Sequence, residues 1–179
     1  MKPLKCRIAL DDDLPAMREI MCLAIDELQA GFLSPQEIVA SHAVMGLDTQ
    51  LVRDGTYFVV EADGAIAGCG GWSRRATLYG GDHSLELREP RLLDPAVDAA
   101  RVRAMYTHPE FKRRGVGRLI LDESEKAAGA EGFHRVELMA TLAGEPLYRA
   151  SGYREIERKP ADVGGVKVPL ILMGKDLPG

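Results

Sequence analysis

The chain has 179 residues, of which 46% are hydrophobic and 28% are charged, and its formal net charge is -4. These values fit one globular domain with enough buried volume for a hydrophobic core, and they exclude a disordered chain. The negative charge argues against a general affinity for nucleic acid or for an anionic membrane, because both call for a basic surface. Any basic patch is therefore local.

The first residues lack the apolar segment of a secretory signal, and no apolar run approaches the roughly 20 residues that a membrane span needs. These features predict a soluble cytoplasmic protein. Cys6, Cys22 and Cys69 are scattered without C-x-x-C spacing, so neither a disulfide framework nor a zinc site is implied. We expect all three cysteines to be small buried thiols.

Alternating polarity over residues 4–10 predicts a first strand. Asp11-Asp12-Asp13 then supplies N-cap candidates for a helix that ends near Gly31. The apolar side of this helix is formed by Ile20, Leu23, Ala24 and Leu28. Ser34-Pro35-Gln36-Glu37 has the pattern of a capping box with proline at the first helical position, and it predicts a second helix that runs toward Gly46.

Residues 56–62 and 65–73 are rich in strand-forming residues, and Asp63-Gly64 between them is a strong signal of a two-residue turn. We therefore predict an antiparallel hairpin. Residues 74–100 have no clear period and contain Gly80-Gly81 and two prolines, which predicts a long connection with one short helical turn. Long connections in compact domains are often functional.

The second half alternates strands and helices. Residues 101–107 predict a strand that His108-Pro109 ends, residues 135–141 predict a half-buried strand, and a helix from Val116 to about Gly132 lies between them. The last predicted elements are a short helix over 145–150 and an antiparallel pair over 153–158 and 168–175 that turns around Gly164-Gly165. Without repeats or a linker, this order predicts one α+β domain over residues 1–179.

Residues 111–126, FKRRGVGRLILDESEK, place three consecutive cations before two glycines and then begin an apolar-periodic helix. A Walker A loop is excluded because neither Gly115 nor Gly117 is followed by Lys-Ser or Lys-Thr. The dinucleotide fingerprint G-x-G-x-x-G fits poorly, since Ile120 stands where a third glycine is needed. What remains is a helix N-terminus whose free backbone N–H groups and dipole can bind an anion.

The stretch YTHPEFKRRGVGRLIL, followed by LYRASGYREIER, resembles the GCN5-related N-acetyltransferase (GNAT) family, whose signature Q/R-x-x-G-x-G/A follows a strand and begins a helix. The resemblance is strong from about Arg101 to Arg158 and only topological over residues 1–100. Lys112 departs from the signature, since Gln or Arg is usual there. The resemblance implies an α+β fold with a single mixed, mostly antiparallel twisted sheet flanked by helices.

The resemblance also implies that the anion is the pyrophosphate of acetyl-CoA, which is the co-substrate of this family. The implied binding residues of the loop are Lys112, Arg113, Arg114, Gly115, Val116, Gly117 and Arg118. The amides of residues 113–118 would hold the pyrophosphate, and the four cationic side chains would contact the remaining phosphates. Met105, Tyr106 and Thr107 would lie beside the pantetheine arm, with a strand N–H as an oxyanion donor.

Tyr148 matches a tyrosine of the family segment Y-x-x-x-G-F/Y that protonates the leaving thiolate, so the resemblance implies that it is the catalytic acid. The alternative is that Tyr148 only packs its helix against the sheet, and we expect Tyr153 to lie in the core or in a strand. No base is singled out for the amine, and a water chain is an alternative to a side chain. The candidate bases are Glu61, Glu110, Glu137 and His108.

Further candidates could border the acceptor site: Trp72, Arg74-Arg75, Asp26 and Glu27. His42, His83 and His134 have no metal-binding spacing, so no metal is expected. The sequence thus predicts an acetyl-CoA-dependent N-acetyltransferase that acts on a primary amine by direct attack in a ternary complex. A small-molecule amine is weakly favoured over a protein amine because the chain is a single stand-alone domain.

Two alternative functions and one question of assembly stay open at this point. A non-catalytic acyl-CoA-binding or sensing module would keep the loop at Gly115 and Gly117 without any need for Tyr148. A nucleic-acid-binding protein that uses Lys112-Arg113-Arg114 is disfavoured by the overall acidity and by the shortness of the basic run. No feature specifies the oligomeric state, so a homodimer stays open.

Overall fold

The computed structural model describes residues 2–179 and contains a seven-stranded main sheet. Its strands are β1 (Lys5–Ile8), β2 (Tyr57–Ala62), β3 (Ala65–Ser73), β4 (Ala100–Thr107), β5 (Arg135–Ala140), β6 (Arg154–Arg158) and β9 (Ile171–Asp176). The spatial order is β1-β2-β3-β4-β5-β9-β6. Neighbouring strands are antiparallel except β4 and β5, which are parallel. The fold is therefore the mixed, mostly antiparallel α+β arrangement that the sequence predicted.

Five α-helices flank the sheet in the described part of the chain. They are α1 (Leu14–Leu23), α2 (Pro35–Val44), α3 (Thr49–Arg53), α4 (Val116–Ala130) and α5 (Glu145–Ala150). The capping box at the start of α2 is confirmed, because Ser34 Oγ accepts from the N–H of Glu37. The five-residue α3 was not predicted, since it is too short to show a helical period. No described helix is long and apolar enough to cross a membrane.

The first helix begins as predicted but differs from the prediction in its capping and at its end. The three aspartates form a 3-10 turn, and Asp13 is the N-cap residue of α1 as predicted. Its carboxylate does not cap the helix, because it accepts from the N–H of Leu10 instead. A π-helical turn, Ala24–Leu28, follows α1 and shifts the buried face. Ile20 and Ala24 are buried as predicted, whereas Leu23 is only half-buried.

The predicted hairpin is confirmed as β2 and β3. Asp63 and Gly64 both have positive φ, 52° and 87°, which is the backbone twist that a two-residue hairpin turn requires. Gly68 and Gly70 of β3 allow close packing, because a Cβ at these positions would lie within 2.6 Å of Val116 and Met105 respectively. The small residues of β3 therefore bring α4 and β4 close to the strand.

The predicted antiparallel pair of the closing region is confirmed as β6 and β9, but the chain between them forms a further hairpin of its own. Gly164-Gly165 turns a separate two-stranded sheet, β7 (Ala161–Val163) and β8 (Val166–Val168), whereas β6 pairs with β9 in the main sheet. Val168 of β8 packs with Ala40 and Val44 of α2. The small sheet therefore covers α2 instead of extending the main sheet.

Each face of the main sheet has its own hydrophobic cluster. Tyr57 and Val59 of β2 pack with α1 and α3, while Val60 and Ala62 of the same strand pack with α4. This alternation is the period of two that a strand buried on both faces shows. The expectation for the cysteines is confirmed for Cys69, but Cys6 is only half-buried and Cys22 is exposed.

Candidate functional site

The two parallel strands at the centre of the sheet separate from each other after a short paired segment. Their register pairs Ala100 with Val136 and Arg101 with Glu137, and no further pair follows along β4 and β5. The opening beyond Arg101 and Glu137 is called the strand gap below. Backbone groups that border such a gap are free to pair with an extended ligand in place of a neighbouring strand.

A bulge in β4 lies at the strand gap. The register between β3 and β4 shifts by one residue between Cys69 and Gly71, and Ala104 has a φ of 52°, which is uncommon for a residue with a side chain. The hydroxyl of Tyr57 donates to the Ala104 carbonyl at 2.9 Å. The buried tyrosine therefore supports a backbone conformation that is costly by itself.

A cavity of about 80 Å³ lies at the strand gap. It is lined by β4, by β5 and the residue after it, by the end of α2 with the residues after it, by the 74–100 connection, by α5 and by the residue before β9. Its lining residues are Val44, Met45, Gly46, Leu78, Tyr79, Gly80, Val102, Arg103, Ala104, Met105, Tyr106, Leu138, Met139, Thr141, Tyr148 and Leu170. The lining is mostly apolar, and Arg103 is its one charged residue among the described ones.

Tyr148 on α5 reaches this cavity from the side of β5. Its hydroxyl lies 3.8 Å from Sδ of Met105, which is across the strand gap, and its ring meets the ring of Tyr153 edge-on at 5.9 Å between centroids. Burial of the phenol raises the pKa of Tyr148 to about 12. The hydroxyl is therefore protonated at neutral pH and can donate a proton into the gap.

The loop before α4 presents a row of backbone donors. The N–H groups of residues 113–118 make no hydrogen bond of ordinary length and angle to any described residue, and α4 has no side-chain N-cap. Arg113 and Gly115 have φ values of 62° and 87°, so the backbone turns sharply just before the helix. This combination of free amides and a helix dipole suits an anion.

The four predicted phosphate-binding cations do not have equal freedom. Lys112 and Arg113 are exposed and have no side-chain partner among residues 2–179. Arg114 instead pairs with Asp63 at 2.9 Å and lies over the ring of Phe111. Arg118 pairs with Asp122 at 3.2 Å. Lys112 and Arg113 are therefore the cations most available to a ligand at the loop.

Gly117 lies where α4 meets α5. A Cβ at this position would be 2.7 Å from Cδ2 of Leu147, the residue that precedes Tyr148. Any larger residue would therefore press on α5 and disturb the tyrosine as well as the loop. Val116 is buried and anchors the start of α4, so it offers its backbone and not its side chain to the loop.

The three predicted strand residues face different surroundings. Met105 is half-buried and lines the gap cavity. Tyr106 also lines it, but its buried hydroxyl exchanges hydrogen bonds with the N–H and the carbonyl of Gly46, at 2.9 and 3.0 Å. Thr107 lies at the end of β4, and its Oγ1 would be 3.9 Å from a Cβ on Gly117. The strand thus runs from the cavity to the loop of α4.

None of the four candidate bases lines the gap cavity. Glu61 pairs with Arg7, and Glu137 pairs with Arg101 at the closed end of the gap. His108 accepts from the N–H of Glu110 in the turn after β4. The structure therefore does not bring any of these side chains to Tyr148.

The candidates for the acceptor border are also engaged elsewhere. Trp72 is 1% exposed and packs against Phe133 in the core, so its expected position at a site border is wrong. Arg74 pairs with Glu131, Arg75 pairs with Asp54, and Asp26 hydrogen-bonds to His42, all outside the gap cavity. Glu27 does not line the cavity either. Within the described chain, no group of three or more His, Cys, Asp or Glu could hold a metal ion.

Sequence reasoning missed the residues that close the cavity opposite the strands. Met45, Gly46, Tyr79 and Gly80 come from two segments without a period, and a Cβ on Gly81 would be 2.7 Å from Cα of Gly46. The signal that could have indicated them was the Gly80-Gly81 pair within a long connection. Glycines at both positions allow the two backbones to touch.

Comparison with known proteins assigns this geometry to a family. The family model of the acetyltransferase (GNAT) domain matches residues 53–155, which is more than half of the chain. The chain belongs to the GCN5-related N-acetyltransferase (GNAT) family. The match includes the strand gap, the loop of α4 and Tyr148, and the resemblance found in the sequence is confirmed. The described chain therefore contains a GNAT acetyltransferase fold.

A curated relative and several solved structures agree with this assignment. An uncharacterised N-acetyltransferase of Chlorobaculum tepidum is 30% identical over 63 residues, which are 35% of this chain and 39% of the relative. The match thus spans well under half the length of that relative. A GCN5-related N-acetyltransferase from Rhodopseudomonas palustris has a TM-score of 0.71 at 20% identity, with 99% of this chain and 98% of that chain covered.

Two further GNAT structures have the same fold. The PaiA N-acetyltransferase of Thermoplasma acidophilum, solved in complex with coenzyme A, has a TM-score of 0.62 at 15% identity and covers 98% and 99% of the two chains. A ribosomal-protein-alanine N-acetyltransferase from Brucella melitensis has a TM-score of 0.66 at 20% identity and covers 97% and 99%. At these identities the likeness concerns the fold alone.

Proposed function

We propose that this GNAT protein transfers an acetyl group from acetyl-CoA to a primary amine of a small molecule, by direct attack in a ternary complex. The observation that carries the proposal is the strand gap, which opens between β4 and β5 and has Tyr148 at its side. The unpartnered amides of residues 113–118 lie at the end of the same strand. Acetyl-CoA needs both features, because its thioester arm requires the extended gap and its pyrophosphate requires free N–H donors.

The loop of α4 holds the pyrophosphate in this proposal. Its amides and the helix dipole stabilise the negative charge, and the exposed side chains of Lys112 and Arg113 neutralise the remaining phosphates. Arg114 acts through its ion pair with Asp63, which ties the loop to the β2–β3 turn. The loop is thus fixed before the ligand arrives, which reduces the ordering cost of binding.

The strand gap and Tyr148 serve the chemical step. Bound acetyl-CoA supplies an acyl group activated as a thioester. A backbone N–H beside the bulge at Ala104 stabilises the oxyanion, and the Tyr148 hydroxyl donates its proton to the sulfur as the C–S bond breaks. The tyrosinate then regains a proton from solvent. Because the pKa of Tyr148, about 12, is higher than that of a thiol, complete proton transfer to the thiolate is unfavourable. The proton is therefore shared between the phenol oxygen and the sulfur in the transition state.

The amine loses its proton to water in this proposal. No carboxylate or imidazole lines the gap cavity in the described chain. Glu61, Glu137 and His108 are engaged elsewhere, and Glu110 does not line the cavity. A water chain leads the proton out as the new C–N bond forms. We further propose that the protein works in the cytoplasm, where acetyl-CoA is available, without a metal ion.

Calorimetric titration with acetyl-CoA tests the proposal, with CoA and ATP as controls. We expect micromolar binding of acetyl-CoA, about -8 kcal/mol, and no binding of ATP. Thiol release is then measured with a panel of primary amines. Release with at least one amine supports the transferase, whereas tight binding without release for any amine would favour the non-catalytic acyl-CoA module. Absence of binding at millimolar acetyl-CoA would contradict both.

A further inference from the structure

A second cavity, of about 280 Å³, lies behind the strand gap at the joint of α3, β3, β4 and the 74–100 connection. Its lining is almost entirely polar, and it is called the arginine cavity below. The lining residues are Asp48, Gln50, Arg53, Ser73, Arg75, Thr77, Asp82, Arg88, Pro90 and Arg103. The acetyl-transfer chemistry proposed above uses none of these side chains.

The floor of the arginine cavity is formed by a buried ion pair. Arg103 Nη1 donates to Asp48 Oδ2 at 2.6 Å, and both side chains are 2% exposed. The second terminal nitrogen of Arg103 donates to the Gly80 carbonyl at 2.7 Å. Its Nε is buried and has no acceptor among the described residues. A buried guanidinium with an unused donor is costly unless a further acceptor completes it.

A second donor lies beside it. Ser73 is buried, and its Oγ accepts from the N–H of Arg75 at 3.0 Å. Its hydroxyl proton donates to no described residue. In the β3–β4 register, Gly71 faces Arg103 and Ser73 faces Arg101, so Ser73 lies on the same face of the sheet as Arg103. Both donors therefore point to the cavity side of the sheet.

The charges of the arginine cavity do not balance. Arg75 is neutralised by Asp54 through two hydrogen bonds. Arg88 pairs with Asp48 and Asp82, and Asp48 also pairs with Arg103. Arg53 has only neutral partners, Thr49 at 3.3 Å and Gln50 at 3.1 Å. Four arginines thus stand against three carboxylates, and Arg53 at the exposed rim is the cation without a counter-charge.

We propose that the arginine cavity binds one small oxyanion group, a carboxylate or a phosphate monoester. Arg53 and Arg88 contact the anion at the rim, and the unused donors of Arg103 and Ser73 lie toward the floor. Guanidinium groups suit both anions because they offer paired N–H donors in one plane. A larger polyanion is disfavoured, since Asp48 and Asp82 would repel its extra charges.

The two cavities share one residue. Arg103 lines the gap cavity as well as the arginine cavity, and it precedes the bulge at Ala104. Its bond to the Gly80 carbonyl also holds the segment that closes the gap cavity. The anion therefore has two possible sources: an acidic group on the acceptor amine itself, or a free anion beside it. The first source rests on the proposed function, and the second does not.

Arginine side-chain resonances test the site directly. The full chain is labelled with ¹⁵N and titrated with inorganic phosphate and, separately, with acetate at constant ionic strength. We expect the Nε–H signals of Arg103 and Arg88 to shift saturably, and Arg53→Gln to weaken the binding by about tenfold. Arg158→Gln is the matched control, because Arg158 lies exposed on β6 and pairs only with glutamates. It leaves the binding unchanged.

Shifts that do not saturate, or equal affinity in Arg53→Gln and the native chain, would overturn the anion site. This readout needs no acetyl transfer, so it fails or succeeds independently of the proposed function. The source is then assigned with a pair of amine acceptors that differ only in one carboxylate. If Arg53→Gln raises the KM of the carboxylate-bearing amine and leaves that of the other amine unchanged, the anion belongs to the acceptor. If both amines have the same KM in Arg53→Gln as in the native chain, and the native chain binds phosphate, the anion is a free one.

Discussion

At the scale of single residues, Tyr148 and Tyr153 show how similar side chains acquire different roles. Tyr148 lies in α5 and Tyr153 lies between α5 and β6, and their rings are in edge-on contact. The hydroxyl of Tyr153 donates to Glu125 at 3.0 Å inside the protein, whereas that of Tyr148 reaches only the Met105 sulfur at the strand gap. Because the Tyr148 hydroxyl has no strong internal partner, it is available to a substrate. Tyr153 is buried, so its predicted place in the core is confirmed.

Tyr148→Phe tests the proposed acid. The substitution keeps the ring and its packing but removes the proton, so we expect kcat to fall by roughly 10- to 1,000-fold with little change in the affinity for acetyl-CoA. Steady-state kinetics and calorimetry measure the two quantities. Tyr153→Phe is the control, and it lowers stability by about 1 kcal/mol without a comparable loss of kcat. A fully active Tyr148→Phe variant would make Tyr148 a packing residue.

At the scale of elements, the loop and first turn of α4 depend on α5. The free amides of residues 113–118 follow from the local sequence, since Gly115 has the positive φ that the turn needs. The contact between Gly117 and Leu147 does not follow from it, because the two residues are on different helices. Gly115 thus serves the loop alone, whereas Gly117 serves both the loop and the position of Tyr148.

Gly117→Val separates these two effects when it is combined with Leu147→Ala. Alone, Gly117→Val blocks close backbone approach and displaces α5, so we expect affinity for acetyl-CoA to fall by about tenfold or more. Leu147→Ala removes the side chain that the new Cβ would meet at 2.7 Å. Binding stays weak in the double variant if the loop itself holds the pyrophosphate, with Leu147→Ala as the reference.

Calorimetry compares the single and double variants. Recovery of native affinity in the double variant would mean that Gly117 matters only for packing between α4 and α5. The phosphate-binding role of the loop would then have to rest on Gly115 and the cations.

At the scale of the whole molecule, one buried carboxylate joins segments that are distant in sequence. Asp48 caps α3 by accepting from the N–H of Gln50, and it also pairs with Arg103 of β4 and Arg88 of the 74–100 connection. Burial alone would raise the pKa of Asp48, but Arg103 and Arg88 hold it below its usual value of 3.8. The ionised Asp48 carboxylate therefore stabilises the fold fully at pH values above its usual pKa, and this stabilisation is lost as the pH falls through the lower pKa of the native state.

Asp48→Asn leaves two arginines without their shared carboxylate. We expect it to lower the free energy of unfolding by about 3 to 5 kcal/mol at neutral pH, the range for removing one partner from a buried ion pair. Urea unfolding at several pH values measures this loss and shows a flatter acid dependence than that of the native chain. Glu157→Gln, at an exposed pair with Lys159, costs less than about 1 kcal/mol. Equal losses in both variants would contradict this account.

The sequence by itself determined the features whose causes are local. The capping box at Ser34, the turn at Asp63-Gly64 and the glycine loop before α4 depend on neighbouring residues, and these predictions were confirmed in position. The loop together with the Tyr148 segment was also sufficient to predict the GNAT family. Short-range backbone preferences and hydrogen bonds explain this success, because they need no knowledge of the partners across the sheet.

Only the tertiary structure decided the features that depend on long-range pairing. The strand gap exists because β4 and β5 pair at one end only, and the gap cavity is closed by Met45 and Tyr79, which no local pattern indicates. Register also placed Gly164-Gly165 in a separate small sheet. The meeting of Asp48 with Arg103 across 55 positions creates the arginine cavity. Such contacts are set by packing and charge pairing among distant segments, which the order of residues along the chain does not reveal.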